Sequence, residues 1–259
     1  MKIEESKSLL DSAEKLLLPV VQDLSARLIA FLKRPDVIEF LRGLPIAIER
    51  MERLPRDMQG AFAESGFPPS IRLTMSDLAD IQQARERGDN AFIAKFIEDH
   101  CLEVISIEEQ RDNLLRRWGE NPLLARRMHI LREGIEAASA GRYVLAVAAL
   151  LPQIEGIVAD GSSHTGSMAG SQYRRLIDNL SHSDPHFGEI FRNFVRDVLL
   201  TSFEHGSPPD VELSRHAVAH GGDVDFGTRR NAARVITAID YIQSAFASVQ
   251  SVALETSEE

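Results

Sequence analysis

Cysteine is almost missing from this chain, strand-forming residues are nowhere concentrated, and only Trp118 and three tyrosines interrupt a background of Leu, Ala, Ile and Arg. With Cys101 alone among 259 residues, there is neither a disulfide framework nor a cysteine-rich zinc site. No apolar run is read as approaching the roughly 18 residues of a membrane span. The start, Met1-Lys2-Ile3-Glu4-Glu5-Ser6-Lys7, lacks the apolar core of a secretion signal. The expectation is a cytoplasmic protein without a membrane partner.

Basic surplus is missing too. The net charge is −10; residues 1–120 hold 17 basic against 22 acidic residues, and 121–259 hold 12 against 17. Each half is equally acidic, so no basic domain hides behind an acidic one, and a broad, sequence-blind grip on nucleic acid is disfavoured. Lysine disappears after Lys95, leaving arginine as the later cation apart from histidine. Arginine is the better residue for planar, bidentate phosphate contacts.

What is present is helical rhythm. Residues 4–33 repeat Leu9, Leu10, Leu16, Leu17, Val20, Val21, Leu24, Leu28 and Leu32 near a 3.6-residue period, with Pro19 as a kink. Pro35 opens a second helix that ends near Leu54-Pro55, and residues 64–70 read as a turn-rich connection. Helices are expected at 76–87, 89–101 and 106–118. Asn121-Pro122 is read as the start of a helix ending near Gly141. Tyr143 to Val158 is apolar nearly all round and should be a buried central helix, bent at Pro152. A Gly/Ser connection over 161–171 follows, open to readings as a lid, an anion site or a plain linker. Helices are then expected at 171–181 and 185–203, with a capped start at Ser207-Pro208-Pro209-Asp210. The last helix, about 228–253, puts Ala232, Val235, Ile236, Ile239, Ile242, Phe246 and Val249 on one face. The fold class is all-α: a helical bundle, with residues 1–120 a helical region of no assigned role and 121–259 a second helical domain.

The segment with chemistry is Arg215-His216-Ala217-Val218-Ala219-His220-Gly221. His216 and His220 are one helical turn apart. Arg215 and His220 are about 140° apart on an ideal helix, so one copy does not place them on one stripe. This string resembles the Arg-x4–6-His signature of HEPN domains, where a polar residue follows the arginine. Ser214 stands where such families often carry Asn. The resemblance covers roughly 121–259, including an upstream helix with Pro152-Gln153-Ile154-Glu155-Gly156 and a long helix after the motif.

That resemblance implies a C-terminal HEPN-like up-down bundle and a metal-independent ribonuclease or RNA-binding toxin-type effector, with an antitoxin or defence protein as a further partner. It implies Arg215, His216 and His220 as catalytic residues: Arg215 holding phosphate, His220 moving the proton, His216 orienting or transferring a second one. Glu155, Ser214 and Gly221 would support them. It also implies a homodimer in which two motifs face one cleft, and no cofactor. Two alternatives remain open. One is a non-catalytic helical module binding a partner protein or a nucleotide, which the acidic balance suits. The other is a metal-dependent hydrolase using His216 and His220, with Asp223 and Asp225 nearby.

Smaller features have plainer readings. Six of eight histidines lie between 164 and 220, and His164, His182, His186 and His205 read either as part of one cleft or as surface and cap residues. Arg116-Arg117, Arg126-Arg127, Arg174-Arg175 and Arg229-Arg230 line an RNA path or simply coat helices. Glu155, a lone carboxylate on an apolar helix, needs a partner if buried, with Arg215 one candidate and a solvated position the other. Cys101 reads as a core residue.

Overall fold

A computed structural model describes residues 33–35, 61–62, 65–69, 73–182, 184, 188–207 and 210–255. The helices expected at 4–33 and after Pro35 lie outside the described residues, as does His186. The chain divides into two compact units, Met1–Leu54 and Pro55–Glu259. The boundary expected at residue 120 therefore falls inside the second unit, which also carries the Arg215–Gly221 motif.

That second unit is all-α, without a strand among the described residues. Its helices are α1 (Met75–Glu86), α2 (Asn90–Ser106), α3 (Glu108–Glu120), α4 (Met128–Ser139), α5 (Tyr143–Gly161), α6 (Gly170–His182), α7 (Gly188–Phe194), α8 (Arg215–Ala219) and α9 (Arg229–Glu255). A 3-10 turn, Ala125–Arg127, leads into α4, and a π turn, Val195–Leu199, prolongs α7.

Local chemistry sets the boundaries. Thr74 and Asp77 form a reciprocal capping box that starts α1. Asp89 caps α2 by accepting from the Phe92 N–H at 3.0 Å. Asn121 does not cap a helix as expected. Its side chain accepts from the Leu123 N–H two residues on, an Asx turn, and the α-helix waits until Met128.

The core is built on α5 and α9, which pack on each other, with α4 on α5 and α2 on α9. Gly134 lets α4 approach α5 closely: a Cβ there would sit 2.5 Å from Leu150. Helix α5 is long and apolar enough, by length and composition, to cross a membrane, which corrects the reading that no run comes near that. Here it is a core helix, burying Ala146, Val147, Leu150, Leu151, Ile154, Ile157 and Val158, and it continues through an exposed Pro152.

Helix α9 departs further from expectation. Rather than one buried face, every residue from Asn231 to Ile242 is buried. The polar positions are satisfied from the opposite side. Trp118, fully buried, donates its indole N–H to Asp240 at 2.9 Å. Arg234 donates to the Gly66 carbonyl, Glu212 and Asn231, and its guanidinium lies 5.5 Å from the Phe67 ring centroid. Cys101 is half-buried, its thiol 3.6 Å from the Ala233 carbonyl.

Candidate functional site

Helix α8 is one and a half turns long, and the motif is nearly all of it. The helix expected to begin near Asp210 instead begins at Arg215, because Ser214 is the N-cap. Its Oγ accepts from the Ala217 N–H at 3.2 Å and donates to the Thr201 carbonyl at 2.8 Å. Ser214 is 1% exposed, so its role is fastening the motif to the end of the π turn.

The other end is closed as firmly. Gly221 has φ +69, Gly222 donates to the Ala217 carbonyl at 2.7 Å, and Gly221 donates to the Val218 carbonyl at 3.3 Å. This is a Schellman stop, in which glycine takes the left-handed conformation without the backbone strain of a residue bearing a Cβ. Gly222 is needed for another reason: a Cβ there would lie 2.1 Å from the Phe203 ring.

Between these fixed ends the functional side chains separate. Arg215 turns to Glu155 on α5 and forms an ion pair with it; the two side chains are 32% and 16% exposed. Glu155 thus has the partner a half-buried carboxylate needs. The carboxylate's own helix is held beside it, since Arg127 donates to Gln153 and Asp160 and lies across Gly156, where a Cβ would come within 2.4 Å of its guanidinium.

His216 and His220 form the second group. Their rings are nearly parallel, 7° apart, with centroids at 6.5 Å. The exposed His220 ring also stacks on Phe203 at 6.3 Å, and His205 meets the same phenyl edge-on at 4.9 Å. Burial holds the His216 pKa below its ordinary value; Arg215, His220 and Arg174 push the same way, and Glu155 opposes them.

Tyr173, on α6, is 2% exposed, and its phenol is pushed up, first by burial and then by Glu155, with Arg215 acting against. Arg174, the next residue, adds the positive charge felt at His216. Sequence reasoning did not find Tyr173 or Phe203, since nothing in their local pattern marks them, and it favoured no functional role for His205.

The structure thus brings together Glu155 with Arg215, and His216 with His220. No contact joins Arg215 to His220 directly. Asp223 accepts from the Asp225 N–H at 2.8 Å and so shapes a turn. Among the described residues no three His, Cys, Asp or Glu side chains group as metal ligands. His164 contacts the Ser167 carbonyl and Gln172, and His182 the Asp178 carbonyl, both local to their own loop or helix. Compared with family models, curated proteins and solved structures, the chain matches none.

Proposed function

We propose that this protein is a HEPN-like, metal-independent endoribonuclease or RNA-binding toxin-type effector, centred on Arg215, His216 and His220. The observation carrying this reading is the pair of parallel imidazoles on a helix capped at both ends, with a guanidinium anchored beside them.

The chemistry needs a base, an acid and a phosphate holder. His216, its pKa held below the ordinary value, is the base that stays neutral. It takes the proton from a ribose 2′-hydroxyl while that oxygen bonds to the adjacent phosphorus. The P–O5′ bond breaks, and His220, acting as the general acid, gives a proton to the leaving oxygen. The products are a 2′,3′-cyclic phosphate and a free 5′-hydroxyl, with no metal or redox partner required. Arg215 keeps donors beyond those facing Glu155 and stabilises charge on the phosphoryl oxygens.

RNA cleavage, or growth arrest on expression, compared for wild type, His220→Ala and Arg215→Ala tests the reading. An activity that neither change weakens removes it. A homodimer with two motifs on one cleft belongs to the proposal, and light scattering that reports a strict monomer would remove that part. The acidic surface favours the second reading, a non-catalytic module for a partner protein; co-purification of such a partner without RNA activity would select it.

A further inference from the structure

A groove of about 300 Å³ opens between α6 and the helix formed by α7 and its π turn. Arg174, Arg192 and Arg196 line it, together with Asp178 and the apolar Ile177 and Val195. The three arginines differ in what they already hold. Arg196 gives two hydrogen bonds, 2.6 and 2.7 Å, to its neighbour Asp197. Among the described residues Arg192 reaches only the exposed Glu189, at 3.6 Å, and its buried Nε finds no hydrogen-bond partner. Arg174 has no hydrogen bond or ion pair among the described residues.

Two features join the groove to the histidines. Arg174 lines it and also acts electrostatically on His216. Leu200 lines it as well, and the next residue, Thr201, receives the Ser214 hydroxyl that caps the motif helix. The helix carrying Arg192 and Arg196 also widens into a π turn at Val195–Leu199, a rare geometry that recurs at functional sites.

We propose that this groove is a phosphodiester subsite, in which Arg174 and Arg192 take a backbone phosphate of a single-stranded RNA whose neighbouring phosphate lies at His216 and His220. The identity of the strand rests on the ribonuclease reading. With Asp178, Asp197 and Glu189 beside the arginines, the groove is not a broad basic field. It recognises phosphate through directed guanidinium donors, which suits a protein of net charge −10. The apolar floor of Ile177 and Val195 leaves those donors less competed for by water.

The test uses the full chain and a short single-stranded 2′-O-methyl RNA, which lacks the nucleophile and is not consumed. Anisotropy titrations over a range of salt compare wild type, Arg174→Gln/Arg192→Gln, Arg174→Lys/Arg192→Lys and the charge-matched control Arg132→Gln/Arg142→Gln. Cleavage of unmodified RNA by wild type is read separately. The glutamine pair should weaken binding about tenfold and flatten the salt slope by about 1, with the control unchanged. The lysine pair should keep the salt slope and lose part of the affinity, because the charge remains and the fork does not. Equal binding by wild type, the glutamine pair and the control overturns the groove even where cleavage stands. Binding that depends on Arg174 and Arg192 without cleavage keeps the groove and removes the catalytic reading. No binding by wild type overturns both.

Discussion

Arg234 and Arg215 are both arginines paired with a glutamate, yet their surroundings assign them different work. Arg234 is almost wholly buried; it is spent on a backbone carbonyl, Glu212 and Asn231, and it covers the Phe67 ring. Arg215 is about a third exposed and holds one carboxylate. A buried guanidinium committed to three partners ties segments of chain together, whereas a partly exposed one that holds a single carboxylate can still receive a ligand. The same contrast separates the α5–α9 core from the short helix bearing the histidines.

The largest expected effect lies on the open side of that comparison. His216→Ala should lower RNA cleavage by about 10²- to 10⁴-fold while thermal unfolding barely moves. A large fall in melting temperature with retained cleavage would place His216 with the structural residues.

Next comes the closed side. Arg234→Gln should cost about 2–3 kcal/mol in denaturant unfolding, since it strips charge-assisted hydrogen bonds from a buried site. Arg215→Gln should cost about 1 kcal/mol, because Arg215 is about a third exposed and the glutamine amide can still donate toward Glu155. Equal costs for the two would erase the distinction.

pH sharpens it further. His216 titrates below 6.5 in the folded protein, so its neutral form is favoured by folding. That contribution is present above the unfolded value and is lost as pH falls, when the unfolded chain binds the proton more readily. Wild type should therefore lose more stability than His216→Gln between pH 7.5 and 5 in melts run in parallel. The acid limb of kcat/KM should lie below 6.5, move lower in Glu155→Gln and higher in Arg174→Gln, following the charges that act on the ring. An acid limb that ignores both changes would show that His216 is not the base.

The smallest effect concerns the loop after α5. Ser163 holds φ 51, with His164 donating back to the Ala159 carbonyl. Ser163→Gly should stabilise the chain by about 0.5 kcal/mol, part of the left-handed strain being offset by glycine's freedom when unfolded. Differential scanning calorimetry would show it.

Much of the fold was legible because helix periodicity and stop signals are local. Gly141 takes a positive φ at the helix end expected near it, and Gly88 and Gly221 do the same just past two other helices, whereas Gly119 falls inside α3. The start of α8 was misread because Ser207 and Asp210 look like caps as much as Ser214 does. Which one serves is decided by the Thr201 carbonyl, thirteen residues upstream. The burial of α9 was misread for a related reason. Arg234, Thr237 and Asp240 gave it an apparent polar face, and only Trp118, Cys101 and the carbonyl of Gly66 make that face an interior one. At the site, Glu155 announced itself as a carboxylate on an apolar helix, whereas Tyr173, Phe203 and Arg192 carried no local mark, and Arg174 stood out only as half of one arginine pair among four.

By itself, then, the sequence determined an all-α chain and a glycine-terminated helix end bearing Arg215, His216 and His220, because backbone hydrogen bonding and turn stereochemistry act over a few residues. Only the tertiary structure decided which side chains meet. Arg215 faces Glu155 rather than His220, Phe203 lies against the His220 ring, and α6 and α7 bring Arg174 and Arg192 into one groove, since those choices depend on packing between segments apart in the chain.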